Sequence, residues 1–290
     1  MQTQLWTPES EQDAAEAARS SRSLRIEGLG TKRVFGCPVD ADAVLTTRRL
    51  RGIVEWRPDD LVVTVRSGTP VADLQAELLE KGQCLPIPPW TDGLPYLASG
   101  APGTVGGLVA TRLPTRWDGW SRGVRYWVLG MRVLLASGET IQCGSKAVKN
   151  VAGYDLQKLF TGSWGSVGLI LEVTLRVFPA ARLSESISPK APTPLNGRYA
   201  VVRTLPSELE SYLSANAASI ERAMRCETTG TAWISLAEGA EMPIPTEGWI
   251  IRSHSEQSFP VLGGNVDIMH RIKDALDPHR LWNPGVFGVL

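Results

Sequence analysis

The segment "TGSWGSVGLI" (residues 161–170) sets Gly162, Gly165 and Gly168 three residues apart around Trp164 and runs directly into the apolar stretch "LILEVTLRVF" (169–178). The apolar stretch reads as a strand. Glycines at its start serve either a plain turn or a place where backbone lies against a ligand. Two other clusters raise the same question, "EGLGTK" (27–32) and "APGTVGG" (101–107), and the third extends back through "GYDLQKLF" (153–160). A negatively charged ligand tail is held by backbone N–H groups at close range, and residues without a side chain allow both the approach and a positive φ. One such cluster is more readily a turn than a site, but several converging ones would make a nest.

Two familiar phosphate loops are excluded. After Gly28 and Gly30 the third place of G-x-G-x-x-G is Arg33, with no helix-forming run behind it, which disfavours the dinucleotide fingerprint. No G-x-x-x-x-G-K-[ST] occurs, since Lys32 follows Thr31 rather than a glycine.

The composition, 43% hydrophobic and 21% charged over 290 residues, suits a soluble chain with a large core in one or two domains. Lys plus Arg equals Asp plus Glu at 30 each, so no general attraction to nucleic acid or to an anionic membrane is expected. Cys37, Cys84, Cys143 and Cys226 are scattered without a C-x-x-C pair, which reads as reduced thiols and no structural metal. The N-terminal stretch lacks a basic and then apolar leader, and no apolar run reaches the ~18 residues of a membrane span, so a cytoplasmic location is expected.

In "LWTPESEQDAAEAARSS" (5–21), Thr7 is expected to cap a helix with Pro8 at its first position, and "SLRIEG" reads as the strand after it. "GIVEWRPDDLVVTVRSG" (52–68) gives two strands turned at Pro58-Asp59-Asp60. Thr69 and Pro70 then open a helix with Val71, Leu74 and Leu78 on one face, closed by Gly82. "VLGMRVLLA" and "ETIQCG" form a hairpin at Ser137-Gly138. From Pro179 a Ser, Pro and Ala-rich stretch marks a boundary. Beyond it "RYAVVRTL", a helix from about Ser207 to Cys226, "TAWISLA" and "GWIIRS" make a small layer, followed by an amphipathic helix stopped at Asp277-Pro278 and a turn at Asn283-Pro284-Gly285.

The succession "RIEGLGTK", "GTPVADLQAELLEKGQCLPI", "GAPGTVGGLVAT", "VLGMRVLLASGE", "VKNVAGYDLQKLFTGSWGSVGLILEVTLRVFP" and "DPHRLWNPG" resembles the FAD-linked oxidase family, whose members share the vanillyl-alcohol-oxidase or PCMH-type FAD-binding fold. Within it, the pattern is most similar to the FAD-binding E-type subunits of bacterial glycolate oxidases. The resemblance covers residues 5 to about 180 and 268 to 288 and is faint between them. It implies an α+β fold: a PCMH-type FAD-binding domain of two α+β subdomains over residues 1–180, a small reduced α+β cap over 181–262, and a C-terminal segment, 263–290, that returns to the FAD domain.

Position by position, the resemblance implies that Gly28, Leu29, Gly30 and Thr31 wrap the FAD diphosphate with backbone amides, with Lys32 offering a positive charge beside it. Pro102, Gly103, Thr104, Gly106 and Gly107 would line the diphosphate and ribityl chain. Gly153, Tyr154, Asp155, Gly165, Gly168 and Ile170 would pack near the adenine or the middle of the cofactor, and Asn283 would bring the C-terminus back. Tyr154 and Trp164 fit core aromatics equally well. Asp155 also fits a helix cap, Asn283-Pro284-Gly285 a plain turn, and Lys146 and Lys149 a solvated surface. No His lies in the first glycine loop, so FAD is expected to be non-covalent.

A complete catalytic set is not visible. Only His254, His270 and His279 exist and none pair at ligand spacing, so no metal site is expected. After "GGLVAT" the chain continues with Arg112, Leu113, Pro114 and Thr115 where substrate-oxidising relatives tend to have Asn and small residues. Arg112 and Arg116 are candidates for binding a carboxylate. Trp164 stands where many of those relatives have an acidic residue. No cysteine set for an iron–sulfur cluster is present.

The resemblance therefore implies an FAD-binding subunit of a glycolate oxidase or dehydrogenase complex converting glycolate to glyoxylate. A sister flavoprotein subunit would oxidise the 2-hydroxy acid, and an iron–sulfur subunit would pass electrons to a membrane quinone. A stand-alone FAD-dependent 2-hydroxy-acid or alcohol dehydrogenase is a second reading. A structural subunit that has lost FAD is a third, and the retained glycines argue against it, because many of them could become Ala if no ligand were present.

Overall fold

Ser10 and Asp13 decide where the chain first turns helical. Ser10 Oγ accepts from the Asp13 N–H at 3.2 Å and the Asp13 carboxylate accepts from the Ser10 N–H at 3.0 Å, a reciprocal capping box. In this computed structural model, which describes residues 3–33, 37–87, 103–115, 122–145, 155–181, 198–252, 261–263 and 266–288, helix α1 therefore spans Glu11–Ser20 rather than starting at Pro8. Its Ala14, Ala15, Ala17 and Ala18 are buried with Leu24 and Leu45 of a three-stranded parallel sheet. Strands β1 (Gln4–Trp6), β2 (Leu24–Glu27) and β3 (Ala43–Thr46) lie in the order β1-β3-β2.

The opening segment supplies the middle strand of the second layer. Strands β4 (Ile53–Arg57), β5 (Val62–Arg66), β7 (Val128–Leu134), β8 (Thr140–Gly144) and β9 (Leu169–Arg176) form an antiparallel sheet in the order β4-β5-β9-β7-β8. The apolar run buries β9 because both of its edges are occupied, by β5 and by β7. The hairpin between β7 and β8 turns at Gly138, φ 82. Helix α2 (Val71–Glu80) buries Val71, Leu74 and Leu78 on this sheet's core, and Gly82 at φ 67 follows its end. Thr69 does not cap α2; its hydroxyl donates to the Arg66 carbonyl at 2.7 Å and accepts from the Gly52 N–H at 2.9 Å. The short strand β6 (Gln83–Cys84) pairs with β10 (Phe178–Pro179). Helices α3 (Val105–Thr111), α4 (Val124–Trp127) and α5 (Gln157–Phe160) fill the same core.

The third sheet is antiparallel, β12 (Ile220–Cys226), β13 (Thr231–Leu236), β11 (Tyr199–Arg203), β14 (Gly248–Arg252) and β15 (Val261–Gly263), in that order. Here the expected helix over 207–226 is corrected: α6 covers only Leu209–Ala215 and residues 220–226 are strand. Asn216 Nδ2 donates to the Tyr212 carbonyl as α6 ends. Pairing with β13 then leaves Ile220, Met224 and Cys226 half-buried and Glu221 and Arg225 exposed. After a bulge between Ile220 and Arg222, exposure alternates from Ala223 to Cys226, and this strand pairing overrides the helical preference of Glu, Arg, Ala and Met. One face of the sheet packs Ala200, Val202, Ala232, Ile234 and Ile250 on Leu209 and Leu213 of α6. The other face, through Val201, Trp233 and Ile251, meets Leu113, Trp164, Val286 and Phe287. Helix α7 (Val266–Leu276) returns the chain, setting Ile272 and Leu276 on the core of the second sheet. The architecture is α+β.

Candidate cofactor site

A cavity of about 420 Å³ lies where β2, the turn after β5, α3 and the start of β9 come together. Its walls bring in Gly28, Leu29, Gly30, Thr31 and Lys32 from the first cluster, Thr104, Gly106 and Gly107 from the second, Gly165, Gly168 and Ile170 from the third, and Asn283 from the C-terminal turn. Segments more than 250 residues apart thus share one space.

The first loop offers unused donors. Among the described residues, the amides of Gly28, Leu29, Gly30 and Thr31 reach no protein acceptor, while Gly30 sits at φ 74. Arg48 Nε donates to the Gly28 carbonyl at 3.1 Å and the Arg33 N–H to the Gly30 carbonyl at 3.2 Å, which orients the loop. Lys32 stands in the same wall, and burial pushes its ammonium down to about 8. Glu27, 8% exposed, is held by Arg25 at 2.8 Å and by Arg33, and all three line the cavity.

The second cluster presses on the first. A Cβ at Gly103, φ 79, would come within 2.5 Å of Thr31 Oγ1 and 2.9 Å of Lys32 Nζ, and one at Gly28 within 2.4 Å of Thr104 Oγ1. Thr104 caps α3 by accepting from the Gly107 N–H at 3.2 Å. The Gly106 N–H donates to the Ser67 carbonyl at 2.7 Å. Ser67 itself is 1% exposed, lines the cavity, and its Oγ has no hydrogen-bond partner.

The third cluster is a joint. The Gly162 N–H donates to Val109 and the Trp164 N–H to Ala110. Asn283 Nδ2 donates to the Trp164 carbonyl at 2.7 Å, while Asn283 Oδ1 accepts from the Ile26 N–H at 2.7 Å. A Cβ at Gly165 would lie 2.8 Å from Asn283 Nδ2, and one at Gly168 2.7 Å from Val133 Cγ1. Behind this, Lys273 Nζ, fully buried, donates to the carbonyls of Ser166 and of Trp282 (2.8 Å) and to Asp277 Oδ2 at 2.6 Å. Asp277 accepts in turn from the N–H groups of Leu281 and Trp282, both at 2.8 Å. Burial holds the Lys273 ammonium below its usual range, partly offset by Asp277.

Several of the expected residues stand away from the cavity or outside the described residues. Asp155 is exposed and paired with Lys158 and Gln157, apart from the cavity wall. Gly103 supports the first loop from behind instead of lining the space. Arg112 ends α3 at φ 47 with its side chain over Gly162, and neither it nor His270 or His279 lines the cavity. Pro102, Gly153 and Tyr154 lie outside the described residues, as do Arg116, Lys146, Lys149 and His254. Retained glycines do not by themselves call for a ligand here, because Gly28, Gly103, Gly106, Gly165 and Gly168 are each held by protein atoms within 3.0 Å of a would-be Cβ. The features that ask for a ligand are others: the open amides of the first loop, the desolvated Lys32 and the orphaned Ser67 hydroxyl. Ser67 carries no sequence signal, being one serine in "RSG" after a strand.

Residues 3–144 match a family described as "FAD binding domain". The chain thus carries an FAD-binding domain of the PCMH type, and its cofactor is FAD; amides without acceptors, a cation and a lone hydroxyl in one wall suit a molecule with a diphosphate in its middle. Among curated proteins it is 38% identical over 172 residues, 59% of this chain and 47% of the relative, to glycolate oxidase subunit GlcE of Escherichia coli (strain K12). It is 31% identical over 166 residues to glycolate oxidase subunit GlcD of Bacillus subtilis (strain 168), covering 55% and 33%. It is 28% identical over 229 residues to a D-lactate dehydrogenase of Archaeoglobus fulgidus, covering 76% and 47%. The chain therefore matches less than half the length of these relatives. A solved alkyldihydroxyacetonephosphate synthase is 16% identical with a TM-score of 0.48, over 74% of this chain and 36% of the other.

Proposed function

We propose that this chain is the FAD-binding subunit of a complex that oxidises a small 2-hydroxy acid, glycolate to glyoxylate, and passes the electrons onward through partner chains. The carrying observation is that one cavity gathers the three glycine clusters and Asn283. In this reading the amides of Gly28 to Thr31 and the Lys32 ammonium take the diphosphate without a covalent bond, and Ser67 Oγ donates to an oxygen of the same ligand. Gly106, Gly107, Gly165, Gly168 and Ile170 shape the remaining wall. Bound there, FAD supplies the two-electron acceptor.

The similarity to GlcE and GlcD supports a partner of related type. Residues 181–262 act as the reduced cap and 263–290 as the clasp on the cofactor domain. An iron–sulfur subunit is the proposed onward carrier of the electrons, a role for which this sequence has no cluster-type cysteine set. Among the described residues no helix is long and apolar enough to cross a membrane; the proposed location is cytoplasmic, with membrane contact made through partners. A stand-alone D-2-hydroxy-acid dehydrogenase is favoured by the D-lactate dehydrogenase match, which runs on over 76% of the chain.

The visible spectrum of the purified chain tests these readings together. Bound flavin that bleaches with glycolate only when partner chains are present is the expected result. Bleaching of the isolated chain would favour the stand-alone enzyme, and a colourless protein a structural subunit.

A further inference from the structure

Glu27 is the part of the cavity wall that cofactor binding leaves unexplained. It is a carboxylate, 8% exposed, in the wall of a space that is to hold a diphosphate, and like charges at close range oppose each other. Its backbone is fixed at the end of β2, where its carbonyl accepts from the Thr47 N–H at 2.8 Å. Two arginines stand beside its side chain. Arg25 Nε lies 2.8 Å from Oε1, but neither of these atoms has a hydrogen-bond partner, so that contact is an ion pair without alignment. Arg33 Nη2 donates to Oε2 and makes the hydrogen bond.

Glu27 and Arg33, six residues apart, bracket the first loop. Their side chains join across its middle: Arg33 Nε would stand 3.2 Å and Cζ 3.5 Å from a Cβ at Gly30. A side chain at position 30 would compete with the arginine for that path, a second demand on this glycine besides its φ of 74. The backbone holds on the loop act on carbonyls, Arg48 Nε on Gly28 and the Arg33 N–H on Gly30. Among the described residues the amides of Gly28 to Thr31 have no protein acceptor. Such a loop draws no hydrogen-bond energy from those amides, so in the FAD-free chain its shape depends on side chains.

We propose that the Glu27–Arg33 pair is a staple that keeps the first loop in its ligand-binding shape before FAD arrives, so that Arg33 is a positioning residue acting through the backbone of residues 28–31 and not a phosphate ligand. The inference rests on the reading above that this loop takes the diphosphate. The sign of the effect at Glu27 separates the two roles. If Arg33 served the phosphate directly, Glu27 would be its competitor, and removing the carboxylate would tighten FAD binding by freeing the arginine and deleting a repulsive charge. As one half of a staple Glu27 is needed, and its removal weakens binding although an anion has gone. The weakening falls on association. A loop that holds its binding shape for part of the time captures ligand in that proportion, while bound ligand holds the loop itself and leaves no faster.

The test is stopped-flow binding of FAD to the full chain freed of flavin, in high salt so that long-range attraction of the anion is screened. Glu27→Met and Arg33→Met should each slow association roughly two- to fivefold, the range open to an ion pair with one end in solvent, and the double variant should be no slower than either. The koff should stay at its wild-type value. Glu27→Gln, which keeps an acceptor for Arg33, should recover part of the rate. Arg25 and Arg33 reach solvent, with side chains 40% and 62% exposed, so removing Glu27 leaves neither as a buried charge. If Glu27→Met nonetheless fails to fold, Arg33→Met carries the test through its split between kon and koff. Tighter binding by Glu27→Met, a raised koff in Arg33→Met, or unchanged association in both would overturn the proposal. Lys32→Met, which removes a contact to the ligand, is the reference and should raise koff. If it leaves FAD binding untouched, the diphosphate reading has failed, and the staple with it.

Discussion

The loops at 28–32 and 162–168 look alike in sequence, each a short run punctuated by glycine, yet they differ in what their backbones do. Among the described residues the first leaves the amides of Gly28 to Thr31 without protein acceptors, and these residues line the cavity. The second gives the N–H groups of Gly162 and Trp164 to Val109 and Ala110, and the carbonyls of Trp164 and Ser166 to Asn283 and Lys273. Glycine permits positive φ and close approach in both, but in one the approach is reserved for a ligand and in the other it is spent on the protein itself. Damage to the joint should therefore appear first as lost stability, and damage to the nest first as lost FAD.

The largest effect is expected at the joint. Lys273→Met leaves the Asp277 carboxylate fully buried without its cation, and breaking such a pair costs about 3–5 kcal/mol. Denaturant melting of the variant should show that loss, and the double variant Lys273→Met, Asp277→Leu should recover part of it, limited by the N–H groups of Leu281 and Trp282 that Asp277 serves. A single variant as stable as wild type would mean that the pair does not anchor the loop.

Next comes the nest. Lys32→Met removes a charge-assisted contact to the diphosphate, worth about 1.5–3 kcal/mol, or roughly ten- to a hundredfold in FAD affinity. Stability without FAD should fall by less than FAD affinity does, because the ammonium is already penalised by burial. Equilibrium binding and a melt of the FAD-free variant check the two halves, and a matched loss in both would erase the distinction between the loops.

The same lysine predicts a pH dependence. With its folded value pushed down to about 8, Lys32 is charged below that pH and neutral above it. A bound diphosphate favours the ammonium and raises the value again, so binding takes up a proton above pH 8. FAD affinity should be level up to about pH 8 and then fall by up to tenfold per pH unit. Titrations between pH 7 and 9.5 should show this slope in wild type and a flat profile in Lys32→Met; an identical slope in both would assign the proton to another group.

How far these features could be read in advance follows from their physics. The β7–β8 hairpin, the β4–β5 turn and α2 were legible because alternation, turn residues and a helical apolar face agree there. Residues 220–226 were misread because Glu, Arg, Ala and Met favour helix locally, and only the partner strand β13 imposes the other period. The glycine clusters were legible as loops, but nothing in their spacing separates a nest from a joint. Lys273 in α7 and Asp277 just past its end have nothing in the sequence to set them apart from an exposed pair four residues apart. Their burial comes from Ser166 and Trp282, which no local pattern announces.

Ser67 gives the smallest and most selective test of the contrast. Its hydroxyl is buried in the cavity wall without a partner, and an unmet donor there is a cost to the FAD-free chain that a ligand oxygen would remove. Ser67→Ala deletes that donor while keeping the carbonyl that accepts from Gly106 and the N–H that donates to Leu171. One neutral hydrogen bond is worth about 0.5–1.5 kcal/mol, so FAD should bind roughly two- to tenfold more weakly. The FAD-free variant should melt at or slightly above the wild-type temperature, since it no longer buries an unsatisfied group. Unchanged FAD affinity would place the ligand away from β5, and would leave the first loop as its main polar support.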